Sequence, residues 1–102
     1  MDFLDIDKVR FTDHAIRRFE ERYRSIYPKD KLNHPERTAR KFLARAKEDN
    51  TLDSVARVKR LINNGFVEVR YFLSDGWRFV IKEEGTNLIV LTVENKRESF
   101  SR

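Results

Sequence analysis

Residues 66–94 read FVEVRYFLSDGWRFVIKEEGTNLIVLTVE, and this stretch decides the fold class. It contains three runs rich in branched and aromatic residues, which the turn-forming triplets SDG (74–76) and EGT (84–86) separate. Runs of this kind, joined by short breaks that contain glycine, are typical of β-hairpins. The stretch therefore predicts an antiparallel meander of three strands.

The run before the meander, VARVKRLI at 55–62, is compatible with two structures. As a helix it would be capped by Asp53 or Ser54. As a strand it would be joined to the meander through the Asn64-Gly65 pair, which is a strong signal for a tight hairpin. We favour the strand, which brings the predicted sheet to four antiparallel strands.

The first half of the chain shows the period of a helix. Thr12 or Asp13 is a suitable N-cap, and Pro28 disfavours helical geometry at Tyr27, so we expect a first helix from about residue 13 to 26. One side of this helix is apolar and consists of Ala15, Ile16, Phe19, Tyr23 and Ile26. Such a stripe would pack on the sheet.

A second helix is predicted from Pro35, which suits a first helical position, to about residue 48. Its apolar stripe comprises Ala39, Phe42, Leu43 and Ala46. The fold class is therefore α+β, with two N-terminal helices packed on one face of a four-stranded antiparallel β-sheet. Residues 1–102 form a single domain in this prediction, with 1–11 as an N-terminal arm or short strand and 98–102 as a frayed tail.

The composition limits the chemistry that is open to this domain. The 102 residues include no cysteine, which excludes disulfides, thiolate metal sites and a cysteine nucleophile. The two histidines are far apart in the sequence, so we expect no metal site, and since the chain has no glycine-rich phosphate loop and no HExxH motif we expect no cofactor. Lysine and arginine number 22 against 17 acidic residues, a formal charge of +5, which favours a polyanion such as RNA as the partner.

The sequence also bears on the location of the protein. Its longest apolar run, at 88–93, is far too short to span a membrane, and its first residues, MDFLDID, are acidic where a signal peptide would be basic. We therefore expect a cytoplasmic protein with no membrane partner.

The segment TDHAIRRFEER (12–22) carries the candidate catalytic residues. On the first helix, His14, Arg18 and Arg22 are four residues apart and form one row beside the apolar stripe. Two nearby guanidinium groups favour a neutral imidazole that accepts a proton, and they also suit a phosphate. Together these groups indicate metal-independent RNA cleavage, in which a base deprotonates the ribose 2′-hydroxyl and cations stabilise the charge on phosphorus.

The alternative is that this row is an ordinary solvated surface, since arginines beside Glu20 and Glu21 commonly form surface ion pairs. Glu21 in particular could pair with Arg17 or Arg18 and neutralise part of the row.

Two further groups complete the predicted site. Thr92 interrupts the apolar run LIVLTVE, where its hydroxyl would orient a phosphate or ribose or would simply favour a strand. The catalytic reading requires Thr92 to lie in the same cleft as His14. Candidate contacts to the nucleic-acid backbone are Arg17, Arg37, Arg40, Lys41, Arg45, Lys96 and Arg97.

Two of these segments resemble a known family. HAIRRFEER (14–22) has the form HAxxR(F/M)xxR, which is similar to the first-helix signature of small bacterial and phage domains related to the RelE and BrnT toxins. The segment WRFVIKEEGTNLIVLTVENKR (77–97) resembles the C-terminal strands of RelE-like toxins. The resemblance extends over roughly residues 11 to 97.

The resemblance implies the metal-independent ribonuclease fold that RelE-like toxins share with barnase-like, EndoU-like and colicin-type nucleases. It implies an endoribonuclease activity and an antitoxin protein as partner. Residue by residue, His14, Arg18 and Arg22 match the helix signature, while Thr92 matches a polar position on the last core strand and Arg97 the terminal basic residue. The alternative function is a non-catalytic nucleic-acid-binding or regulatory module on the same fold.

Overall fold

Five strands form one mixed sheet, and two α-helices pack on it, in the part of the chain that the computed structural model describes, residues 5–49 and 69–95. A 3-10 turn at Ile6–Lys8 comes first. The elements that follow in chain order are β1 (Val9–Phe11), α1 (Asp13–Ile26), α2 (Pro35–Ala44), β2 (Lys47–Glu48), β3 (Arg70–Ser74), β4 (Trp77–Glu84) and β5 (Asn87–Asn95).

The predicted meander is confirmed. β3 pairs with β4 and β4 pairs with β5, both antiparallel. In the first turn both Asp75 (φ 50°) and Gly76 (φ 87°) have positive φ, which matches the twist of the hairpin strands. Gly85, with φ 63°, serves the second turn. The strand predicted at 55–62 lies outside the described residues.

The sheet differs from the predicted antiparallel arrangement at both edges. The segment predicted as an arm or short strand forms β1, which runs parallel to β5 with Val9 opposite Leu88. β2 pairs antiparallel with β3 at the other edge, so the described order is β1-β5-β4-β3-β2. β1 joins the sheet because its alternation suits one buried face: Val9 is buried and Arg10 is exposed.

Helix α1 has the predicted bounds, Asp13–Ile26, and its N-cap is Thr12. The Thr12 hydroxyl oxygen accepts from the Ala15 N–H at 3.0 Å. The same hydroxyl faces the Val90 carbonyl at 3.1 Å and the Leu91 carbonyl at 3.3 Å, to which it donates. One side chain thus caps the helix and fixes its start to β5.

Helix α2 begins at Pro35 as predicted but ends at Ala44, four residues earlier than expected. The chain turns at Arg45 because Lys47 and Glu48 pair with Leu73 and Phe72 of β3. Pairing with a strand therefore overrides the helical pattern of the last residues.

The core lies between the helices and one face of the sheet, which we call the helix face. On β4 the side chains of Trp77, Phe79 and Ile81 lie on this face and are fully buried. Phe19 of α1 packs on Trp77 with ring centroids 4.6 Å apart. The alternate residues of each strand lie on the opposite face, which we call the far face; Val80 belongs to it.

Candidate nucleic-acid interface

The predicted row on α1 lies beside the buried stripe. His14 is exposed, whereas Arg18 and Arg22 are half-buried, next to the fully buried Ala15 and Phe19. The sequence thus correctly predicted that the row borders the core.

The row is partly paired. Arg18 Nη1 lies 3.7 Å from Glu21 Oε2, with both side chains about half exposed (43% and 54%). An ion pair that is this long and this exposed stabilises little and leaves the guanidinium accessible to other anions. His14 has no hydrogen-bond or ion-pair partner among the described residues. The structure therefore leaves the imidazole open to solvent.

Thr92 does not join this row. It lies opposite Val80, while the adjacent Val93 lies opposite Phe79 on the helix face. Paired residues of an antiparallel sheet point to the same side, so the Thr92 side chain lies on the far face and α1 on the helix face. The prediction that Thr92 shares a cleft with His14 is wrong.

A bulge in β5 explains why Thr92 points away from the helices. The register shifts between Val80 and Ile81, because Val80 lies opposite Thr92 and Ile81 lies opposite Val90. Leu91 is therefore the extra residue, and it reverses the side to which every later residue of β5 points. Without it, Thr92 would lie opposite Phe79 on the helix face.

The basic residues of α2 gather at two neighbouring depressions. The strand depression, between α2 and the segment Ile6–Val9, has a volume of about 440 Å³. The helix depression, between α1 and the start of α2, has a volume of about 530 Å³. Both include Arg37 and Arg40 in their walls, and the strand depression also includes Lys41.

Arg40 is held in place by three groups. Its guanidinium binds Glu36 at 2.9 Å and donates through Nη1 to the Ile6 carbonyl at 3.3 Å. It also lies over the Phe11 ring, 5.3 Å from the centroid. Glu36 offsets the charge of Arg40, so Arg40 serves as a fixed wall between the two depressions.

Arg37 and Lys41 are exposed, and neither has an acceptor among the described residues. Their charges are therefore available to a ligand at the depressions. A guanidinium binds a phosphate through two parallel hydrogen bonds, and an ammonium binds it as a point charge.

The α1 row and the α2 cations form separate surfaces. Ile16 lines the helix depression together with Arg37 and Arg40. His14 and Arg18 are each two residues from Ile16, so at 3.6 residues per turn they point about 160° away from it. The row and the depressions thus lie on opposite flanks of α1.

The other predicted contacts are not part of either depression. Arg45 pairs with Asp75 at 3.3 Å and lines a third depression, of about 360 Å³, with Lys47 and Leu73. Arg17 is exposed on α1 and has no ion pair among the described residues. Lys96 and Arg97 lie outside the described residues.

The walls that make the depressions concave were not predicted from the sequence. Ile16 was assigned only to the apolar stripe, and Asn33 and His34 were not predicted to belong to a site, yet all three line the helix depression. His34 occupies the N-cap position of α2, and its side chain makes no capping hydrogen bond to the helix. The only sequence signal was a polar pair directly before a helix-starting proline.

No protein-family model, curated protein or solved structure matches this chain. Within residues 5–49 and 69–95, neither helix has the length and apolar character needed to cross a membrane.

Proposed function

We propose that this protein binds RNA through the α2 surface, which comprises Arg37, Arg40 and Lys41. The observation that carries this proposal is the convergence of these three cations on two adjoining depressions. The formal charge of +5 supports a polyanionic ligand, since neutralising phosphates releases condensed counterions. The resemblance to RelE-like domains favours RNA over other polyanions, and the two helices on one face of the β3–β4–β5 meander agree with it.

Salt-dependent binding tests the proposal. Titration of labelled RNA at several salt concentrations gives the slope of log K against log salt, which is about 0.7 for each phosphate neutralised on a single strand. We expect the double variant Arg37→Ala/Lys41→Ala to bind more weakly and to lower the slope by about 1.4, because two phosphate contacts are lost.

The matched control is Lys29→Ala/Lys31→Ala, which removes the same charge from two exposed lysines in the loop between the helices. These lysines line neither depression, so the control should keep the slope of the unmodified protein. Equal slopes for the two double variants would mean that net charge, rather than the α2 surface, binds the RNA.

RNA cleavage at the α1 row is the second candidate function. It is favoured by the exposed imidazole of His14, which has no partner within residues 5–49 and 69–95, and by Arg18 one helical turn away on the same side. In this proposal His14 accepts the proton of a ribose 2′-hydroxyl, whose oxygen attacks the adjacent phosphorus, and Arg18 and Arg22 stabilise the charged phosphorus centre. The bond from phosphorus to the 5′-oxygen then breaks, and that oxygen takes up a proton from water. Thr92 has no part in it.

Incubating the protein with RNA in the presence of a chelator tests cleavage. We expect cleavage products whose rate of formation falls steeply in His14→Ala, while RNA binding by that variant persists through α2. Cleavage would also make an antitoxin protein the expected partner, as in the RelE-like toxins. Intact RNA together with salt-sensitive binding would leave the non-catalytic binding module as the function.

A further inference from the structure

The strand depression and the helix depression meet at a common wall of Arg37 and Arg40. Each volume, about 440 and 530 Å³, falls in the range of roughly 300 to 1,000 Å³ typical of small-ligand sites. Two depressions with cations between them offer the same order of groups as a polynucleotide, in which each phosphate lies between two nucleosides.

Apolar groups in each depression suit the face of a base. Ile16 and Pro35 contribute apolar surface to the helix depression, and Ile6, Val9 and Ala44 contribute it to the strand depression. When a base packs on such groups, one of its faces is removed from water, which is favourable in proportion to the apolar area buried.

Polar groups near these surfaces suit the edges of a base. Asn33, His34 and the Glu36 carboxylate, which binds Arg40, line the helix depression, and Asp7 lines the strand depression. Amide, imidazole and carboxylate groups hydrogen-bond to the donors and acceptors of unpaired bases. Each depression therefore combines an apolar surface with a small number of hydrogen-bonding groups.

The wall between the depressions has one fixed and one available cation. Glu36, the Ile6 carbonyl and the Phe11 ring hold the Arg40 guanidinium, and guanidinium planes are among the groups on which RNA bases stack. Arg37 is exposed and can bind the phosphate that joins two nucleotides.

We propose that the two depressions bind two consecutive nucleotides of a single-stranded nucleic acid, with one base in each depression and the intervening phosphate on Arg37. This inference rests on the proposed RNA binding through α2, and it adds that the ligand is single-stranded. A duplex cannot satisfy the site because its bases are stacked and paired inside the helix. The depressions therefore select unpaired segments such as loops and ends.

The first test compares three ligands of equal length on the unmodified protein: a single-stranded RNA, the same RNA with abasic positions, and a duplex. We expect the single strand to bind about tenfold or more tightly than the abasic strand, since each of the two base contacts contributes about fivefold or more. The duplex should bind as weakly as the abasic strand.

The second test fills the strand depression without changing charge. Ala44→Gln places a larger side chain in the depression, and because Ala44 is an exposed helical residue the fold should tolerate the change. Ser25→Gln adds the same side chain at an exposed position of α1 outside both depressions. We expect Ala44→Gln to weaken binding of the single strand about fivefold or more and to leave duplex binding unchanged, whereas Ser25→Gln should change neither.

The outcomes separate this inference from the proposed function. Salt-sensitive binding that depends on Arg37 but is equal for single strand, abasic strand and duplex would overturn the nucleotide subsites and keep backbone binding by α2. If Ala44→Gln weakened binding of the duplex as much as binding of the single strand, the subsites would also be overturned, because the depression would then contact the nucleic-acid backbone alone. Loss of all nucleic-acid binding at low salt would overturn both proposals.

Discussion

The Thr12 hydroxyl joins the start of α1 to β5. Its removal should destabilise the fold more than the loss of one hydrogen bond usually does. The hydroxyl caps the helix through the Ala15 N–H at 3.0 Å and donates to the Val90 and Leu91 carbonyls at 3.1 and 3.3 Å. In Thr12→Ala the lost N-cap costs about 1 kcal/mol, and the lost part-buried hydrogen bond costs about another 1 kcal/mol.

The expected decrease in the free energy of unfolding is therefore about 2 kcal/mol, and the melting temperature of a domain of this size should fall by about 8 to 15 °C. Urea unfolding followed by circular dichroism measures the first quantity, and a thermal scan measures the second. Because domains of this size are stable by only about 5 to 15 kcal/mol, the variant should still fold.

Two further substitutions identify the hydroxyl as the cause. Thr12→Ser keeps the oxygen in place and should retain most of the stability. Thr12→Val keeps the volume but removes the hydroxyl, so its stability should lie within about 0.5 kcal/mol of that of Thr12→Ala. If Thr12→Val is as stable as the unmodified protein, the hydroxyl does not couple α1 to β5 and the reasoning fails.

Three other predictions follow from single side chains. Arg70 bridges Glu48 and Glu83 and covers the Phe72 ring, so Arg70→Ala should lower the free energy of unfolding by about 1 kcal/mol in urea titrations. Gly76 has φ 87°, so Gly76→Ala should cost about 1 kcal/mol in the same assay. Burial, and then the charge of Asp30, raises the pKa of Tyr23, which stabilises the fold below the ordinary pKa of about 10. That stabilisation should be lost as the pH rises through the higher pKa of the folded state. The free energy of unfolding, measured in urea at increasing alkaline pH, should therefore decrease less in Tyr23→Phe than in the unmodified protein.

The local signals in the sequence were sufficient for α1 and for the meander. Thr12 and Pro28 bound the helix on either side, and the two glycine-containing turns set the hairpins. These features depend on a few neighbouring residues, so a sequence pattern can contain them. The end of α2 depends instead on pairing with β3, which is distant in sequence.

The position of β1 also could not be predicted from neighbouring residues, because it depends on pairing with a strand that is distant in sequence. Its pairing with β5 joins residues 9–11 to residues 88–90, and nothing in the arm itself selects a parallel partner. A three-residue strand has too little pattern to distinguish an arm from an edge strand. The alternation of Val9, Arg10 and Phe11 indicates a strand only once the core that buries Val9 is known.

The candidate site was predictable in its residue types but not in its grouping. The arginines of α1 and α2 were identified from helical spacing alone. Their separation onto opposite flanks of α1 depends on where α2 packs in the fold, which helical spacing does not contain. The side of Thr92 depends on one extra residue, Leu91, because a strand alternates with a period of two. A single bulge therefore moves a candidate catalytic hydroxyl to the other face of the sheet.

The two basic surfaces limit how binding and cleavage can be combined in this protein. An α-helix with its side chains is about 10 to 12 Å across, so a phosphate on Arg37 cannot also be the phosphate that His14 and Arg18 act on. If both functions operate, the RNA must cross α1, with its bound nucleotides on one flank and its cleaved bond on the other. Arg37→Ala should then raise KM with little change in kcat, and His14→Ala should lower kcat with little change in KM. Variants that change both constants together would place binding and chemistry on one surface, in conflict with the opposite directions of Ile16 and His14 on α1.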